Sequence, residues 1–294
     1  MYWAIFGIFH SIFRAIFAEI NRVYGEDPWQ LSFWHASVAV LILIPFIPFM
    51  DWPVMDGADG KNFYLAAILV AMILSVGIVI QLNLSSEKKG RVSSIAIPME
   101  SISAAFIWIA VMPYMIDYYA QDPIMTISVA SAFLLVSIAL FFLRTTDWSW
   151  QAFFVVAPVG VTYAVAGVVT KMVVPEAQLI PAALSFVLMN YVVMTIVIGL
   201  VLLIKRKADK NMVSKSMVKA GLLTGLFSAL AYITFVASVV HAPNPGYTSL
   251  LAALVPVWLM WYHELRFIDD KAKPLAGLLI VASVILLITS TWNG

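Results

Sequence analysis

The stretch Val92–Tyr114, VSSIAIPMESISAAFIWIAVMPY, decides how the chain is read. It is long and apolar enough to cross a bilayer, yet Pro98 and Glu100 lie well inside it. At a rise of ~1.5 Å per residue, Glu100 sits about 12 Å in, near the middle of a hydrocarbon core roughly 30 Å thick. A carboxylate at that depth is costly in lipid and faces a protein interior or a wet cavity. Helical spacing agrees: Ser93, Ala96, Glu100, Ser103 and Ala104 share a small, polar stripe. Ile95, Ile102, Phe106 and Ile109 form the opposite side and suit lipid. The other spans are therefore expected to give that carboxylate partners.

Composition sets the frame. Hydrophobic residues make up 63% of the 294 and charged residues 11%, with a mean hydropathy of +0.96. No soluble domain needs so much apolar surface, so the composition predicts a polytopic all-α membrane protein. The many tryptophans and tyrosines suit interfacial anchoring, with some left to line a cavity. The absence of cysteine excludes disulfides, thiolate metal sites and cysteine nucleophiles. The segment from Tyr2 holds His10, Arg14 and Glu19 and lacks a basic start, so it reads as a retained span, not a signal peptide.

Length and hydropathy predict about ten spans. In the first half they fall near 2–23, 29–50, 62–84, 92–114 and 123–143; in the second, near 151–173, 181–204, 217–240, 246–264 and 273–292. Short turn or charge signals connect them, such as Glu26-Asp27-Pro28, Asp51-Trp52-Pro53 and Pro243-Asn244-Pro245-Gly246. The one long polar linker is Lys205–Lys219. The halves, 1–147 and 148–294, read as copies of each other within one membrane domain. The fourth span of each carries a proline, Pro98 and Pro256. The first span of each carries a glycine stripe with polar residues: Gly7, His10 and Arg14 against Gly160, Tyr163, Gly167 and Lys171. Five is odd, so such repeats enter the membrane in opposite directions. Secondary transporters use that arrangement, with binding near the midplane between repeats.

From Tyr247 to Ile288 the chain, with Pro256, Glu264 after the ninth span and Gly277 in the tenth, resembles the EamA-type repeat of the drug/metabolite transporter superfamily. The resemblance implies ten helices in two inverted five-helix repeats around a central cavity lined mainly by helices 1, 3, 4, 6, 8 and 9. The first half departs from the pattern: Ile116-Asp117-Tyr118-Tyr119 follows its fourth span without a glutamate. Trp258 also stands where Glu100 does relative to the proline.

Charge sets the expected orientation. Loops after odd-numbered spans hold about fourteen of the lysines and arginines, including Lys88, Lys89, Arg91, Lys205–Lys207 and Lys271, against roughly two, Lys61 and Lys171, on the other face. The positive-inside rule puts the basic loops in the cytoplasm of a cell inner membrane and both termini outside. Ten-span relatives are expected with their termini inside; the charges are followed here.

Arg14 is the second intramembrane charge, about 18 Å from Tyr2 and so near the same depth as Glu100. Gly7, His10, Ala18 and Asn21 share its face. One reading is a structural ion pair with Glu100, since buried charges pair. The other makes the two a binding pair for a zwitterion or for separate charged groups of a metabolite, with Glu100 or His10 also offered as carrier of a coupling proton. Gln81 and Asn83, His35, and Asn190 with Tyr191 are weaker signals that equally suit helix–helix contacts. Trp108, Tyr163, Tyr232 and Trp258 fall on spans that the resemblance assigns to the cavity, where each can stack on an apolar or cationic group or simply pack. Lys171, near a span end, is expected to snorkel, and His263-Glu264 to be structural.

The chain has no H-E-x-x-H, G-x-S-x-G, P-loop or G-x-G-x-x-G motif. Asp269-Asp270 is too thin for a metal–diphosphate site, and the basic loops suit anionic lipid better than nucleic acid. The expected function is a secondary transporter, monomeric or homodimeric and without cofactor, metal or catalytic residue. It moves a small polar or amphiphilic metabolite, an amino acid or amine, by alternating access. The alternatives are an intramembrane enzyme acting on a lipid-linked substrate and a non-transporting scaffold.

Overall fold

The computed structural model describes residues 1–55, 57–87, 96–143, 150–205, 210–268 and 274–292. Val92–Ile95, with Ser93 of the polar stripe, the basic Lys88–Arg91 loop, Asp269-Asp270 and the boundary at 147/148 lie outside them. Helices make up 88% of the structure, with no strand among the described residues. They are α1 (Tyr2–Tyr24), α2 (Pro28–Leu43), α3 (Ala58–Glu87), α4 (Ala96–Val111), α5 (Tyr114–Gln121) and α6 (Pro123–Leu143), followed by α7 (Trp150–Val173), α8 (Leu179–Ile204), α9 (Lys215–His241), α10 (Pro245–Leu251), α11 (Val255–Leu265) and α12 (Pro274–Ser290).

Local chemistry sets the breaks. Gly25 ends α1 in the left-handed region at φ 58, and its N–H donates to Asn21 O. The Asp27 carboxylate then accepts from the Trp29 and Gln30 amides, and Pro28 opens α2 where no N–H is needed. Pro45 and Pro48 remove donors, so α2 tightens into a 3₁₀ turn over Ile44–Phe49. Asn244 and Pro245 start α10 in the same way as Asp27 and Pro28 start α2.

Among the described residues, five helical segments are long and apolar enough to cross a membrane: Tyr2–Tyr24, Pro28–Phe49, Ala58–Asn83, Leu179–Ile204 and Lys215–His241. A sixth is reached if α4 and α5, bent by 111° at Met112-Pro113, count as one. These apolar helices fit a membrane protein. The expected fourth span, 92–114, is thus a helix that stops at Val111, because Pro113 cannot continue the ladder. The expected ninth span is broken too: a 3₁₀ turn, Ala252–Leu254, separates α10 from α11, and Pro256 opens α11 instead of lying inside a helix.

Side-chain contacts give the directions of packing. Against α9, α1 runs antiparallel: Ser238 Oγ donates to Trp3 O (2.7 Å) and His10 Nδ1 to Ala231 O (2.8 Å). Against α10–α11 it runs parallel, with Trp258 Nε1 donating to Ser11 Oγ (2.9 Å) and His263 meeting Glu19 (3.2 Å) further along. In the same sense α4 runs parallel to α7: Gly160 faces the backbone from Ala96 to Glu100, and Lys171 lies over Trp108. Between α4 and α10 the order reverses, since Asn244 meets Ala105 and Ser249 meets Glu100. α6 pairs with α12 through Ser283 Oγ, which donates to Ala132 O (2.7 Å).

Candidate functional site

Where α1, α4 and α7 meet α2, α3, α8 and α9, they enclose a cavity of about 130 Å³. A water needs roughly 10–15 Å³ by this measure, so a small organic molecule fits. On α1, residues 10, 14 and 17 recur at i, i+4 and i+7 and therefore share the face that lines it: His10, Arg14 and Phe17. Glu100 enters from the first turns of α4 and is 2% exposed.

Arg14 Nη1 lies 3.6 Å from Glu100 Oε2, so the expected pair forms, but at a separation too long for a hydrogen bond. Ser249 Oγ, on α10, donates to Glu100 Oε1 at 2.9 Å. Oε2 is buried and has no hydrogen-bond partner among the described residues. The pair is therefore an ionic contact with hydrogen-bonding capacity left on both sides. Across from α1, Tyr163 Oη on α7 donates to Gln81 Oε1 on α3 (3.3 Å).

The opposite wall is a continuous run of rings. Phe17 packs on His35 (5.6 Å between centroids), His35 on Tyr191 (5.5 Å) and Tyr191 on Tyr232 (5.9 Å). Tyr232 meets Phe235 (6.2 Å), and Phe235 meets His10 (5.2 Å). The arc thus leaves α1 at Phe17, passes through α2, α8 and α9, and returns to α1 at His10, with Arg14 between its two ends. The hydroxyl of Ser228 ties His35 Nε2 (2.5 Å) and Tyr191 Oη (2.6 Å) together inside this wall. A cavity charged on one side and aromatic on the other suits an amphiphile.

Of the residues singled out from the sequence, His10, Arg14, His35, Gln81, Glu100, Tyr163, Tyr191 and Tyr232 line this cavity. Trp108 and Trp258 stand outside it. Trp108 is two turns beyond Glu100, about 12 Å along α4, where it packs with Met115 and Val168. Trp258 reaches the neighbouring stripe of α1, with Ala15, Ala18 and Ser11, because α11 restarts after the break with its own rotation. The Lys171 ammonium donates to Val240 O (2.7 Å) at the C-terminal end of α9, where carbonyls lack helical donors. Asn190 turns back onto its own helix, donating to Phe186 O (2.7 Å). His263 shares the Glu19 carboxylate with Arg22, in keeping with a structural role. Phe17, Ser228 and Phe235 carried no sequence signal of their own, since an apolar or hydroxyl side chain on a membrane helix is unremarkable until its neighbours are known.

No protein-family model matches the chain, and no curated protein does. Among solved structures, one described only as "Crystal structure of protein" superposes with a TM-score of 0.72 at 11% identity, covering 99% of this chain and 98% of that chain. At such identity the likeness shows the fold alone. The architecture is shared from end to end, and the chemistry of the cavity rests on this chain's own residues.

Proposed function

We propose that this protein is a secondary transporter of the EamA type in the drug/metabolite transporter superfamily. Its ten spans form two inverted five-helix repeats that move a small zwitterionic or amine metabolite by alternating access. The observation that carries the reading is the Arg14–Glu100 pair: opposite charges at matching depth, facing one cavity, with hydrogen-bonding capacity left for a ligand. A ligand carboxylate fits the Arg14 fork, an ammonium fits the open Glu100 oxygen, and an apolar body fits the ring arc.

The helix directions support the inverted repeat. α1 is parallel to α10–α11, α10 is antiparallel to α4, and α4 is parallel to α7, so α1 and α7 run in opposite directions. Exchanging the halves also preserves the neighbours. The α1 pairing with α10–α11 corresponds to that of α7 with α4, α1 with α9 to α7 with α3, and α2 with α9 to α8 with α3.

Proteoliposomes holding the purified protein and loaded with unlabelled amino acids are expected to exchange a labelled one of the same class. Failure of every amino acid and biogenic amine to exchange removes the reading. The Lys/Arg asymmetry further places both termini outside the cytoplasm. A reporter fused at Gly294 is expected to register there, and cytoplasmic fluorescence alone reverses the orientation.

A further inference from the structure

Most polar side chains in the aromatic wall satisfy one another: Ser228 serves both His35 and Tyr191. His35 Nδ1 has no hydrogen-bond partner among the described residues, and neither do two further buried atoms of this wall, His10 Nε2 and Tyr232 Oη. Both residues line the cavity that also holds Arg14 and Glu100.

The state of His10 follows from its other nitrogen. A carbonyl oxygen can only accept, so Nδ1 must donate its hydrogen to Ala231 O at 2.8 Å. That bond fixes the ring, and in the neutral imidazole it leaves Nε2 as a lone pair, hence an acceptor. Tyr232 is the next residue after Ala231, and its O–H is a donor. The ring of Phe235 packs against both side chains, at 5.2 Å from His10 and 6.2 Å from Tyr232 between centroids. An acceptor and a donor are thus held around one apolar ring, on a wall where phenylalanine packs as well as tyrosine at far lower cost to bury.

We propose that His10 Nε2 and Tyr232 Oη form a second, neutral recognition pole, which selects zwitterions that carry a hydroxyl or amide group besides their charged head. The proposal rests on the reading of Arg14–Glu100 as the site of that head. A ligand hydroxyl or amide can donate to His10 and accept from Tyr232. A ligand of the same shape with a methyl group instead leaves two buried polar atoms unmet, a penalty on the order of tenfold or more in affinity.

The test is equilibrium binding of matched amino acids to the full-length protein in detergent: threonine against valine, and glutamine against methionine. Threonine and glutamine are expected to bind at least about tenfold more tightly than their apolar counterparts. Tyr232→Phe removes an oxygen that no described protein group uses, so the fold loses no hydrogen bond; it is expected to shrink both ratios several-fold. His10→Leu is expected to bring them close to one, and His10→Gln, whose amide oxygen can stand near Nε2, to restore a preference. Ratios near one in the wild-type protein mean that water satisfies both atoms, and they overturn the second pole while leaving the charged pole standing. Ratios unchanged by Tyr232→Phe and by His10→Leu overturn it as well. If none of the four amino acids binds, this inference falls, and exchange of any other amino acid or biogenic amine leaves the charged pole standing without it.

Discussion

In the first half of the chain the cavity wall carries charge, Arg14 on α1 and Glu100 on α4; in the second half it does not. Counted from Gly7 and Gly160, Tyr163 stands where His10 does, and Gly167 where Arg14 does. Counted from Pro98 and Pro256, Trp258 stands where Glu100 does. His10 and Tyr163 even make corresponding contacts, His10 to Ala231 on α9 and Tyr163 to Gln81 on α3. These contacts correspond, while the chemistry of the two walls differs. A single ion pair explains why: each buried charge carries a desolvation penalty of several kcal/mol, and a second pair would repeat that cost within one small cavity. Symmetric helices can build the cavity, but a ligand with two unlike ends is best met by an asymmetric lining.

The strongest way to break this comparison is to remove its charge. Glu100→Gln is expected to abolish uptake in proteoliposomes, a loss of at least about a hundredfold, while folded yield stays near wild type. A purely structural pair predicts otherwise. Single neutralisation then strands a buried charge at a cost of about 3–5 kcal/mol, and Arg14→Met with Glu100→Gln recovers both folding and transport. Recovery of transport in that double variant would falsify the binding role.

A smaller effect sharpens the match in packing. A Cβ at Gly160 would meet the backbone of Ala96 and Glu100, which cannot turn aside, whereas at Gly7 it would chiefly meet the Leu251 side chain, which can. Gly160→Ala is therefore expected to cost about 1–3 kcal/mol and Gly7→Ala clearly less, read from denaturation midpoints in detergent. Equal costs would show that α4 yields to α7 as readily as Leu251 yields to α1.

The smallest effect belongs to Trp258, the neutral counterpart of Glu100. Trp258→Phe keeps an aromatic body and loses the bond to Ser11, about 1 kcal/mol of stability. Uptake is expected to remain near wild type, because the indole lies outside the cavity. A large loss of transport with unchanged stability would bring α11 into the site and undo the contrast between the halves.

Membrane character, helical class and the pairing of Arg14 with Glu100 follow from the chain alone. Hydropathy and a period of 3.6 residues belong to each helix separately, and two opposite charges at equal depth have few alternatives to one another. The turns at Asp27-Pro28 and Asn244-Pro245 are legible for the same reason, since capping is a contact between near neighbours. The ring arc is not. Phe17, His35, Tyr191, Tyr232, Phe235 and His10 come from four helices, and nothing within any one of them fixes its rotation against the next. Trp108 and Trp258 make the same point from the other side: depth along α4 carries Trp108 past the cavity, and α11, which holds Trp258, lends it no lining residue. Placement of a side chain in a helical bundle is settled by close approach, and close approach depends on every packed neighbour at once.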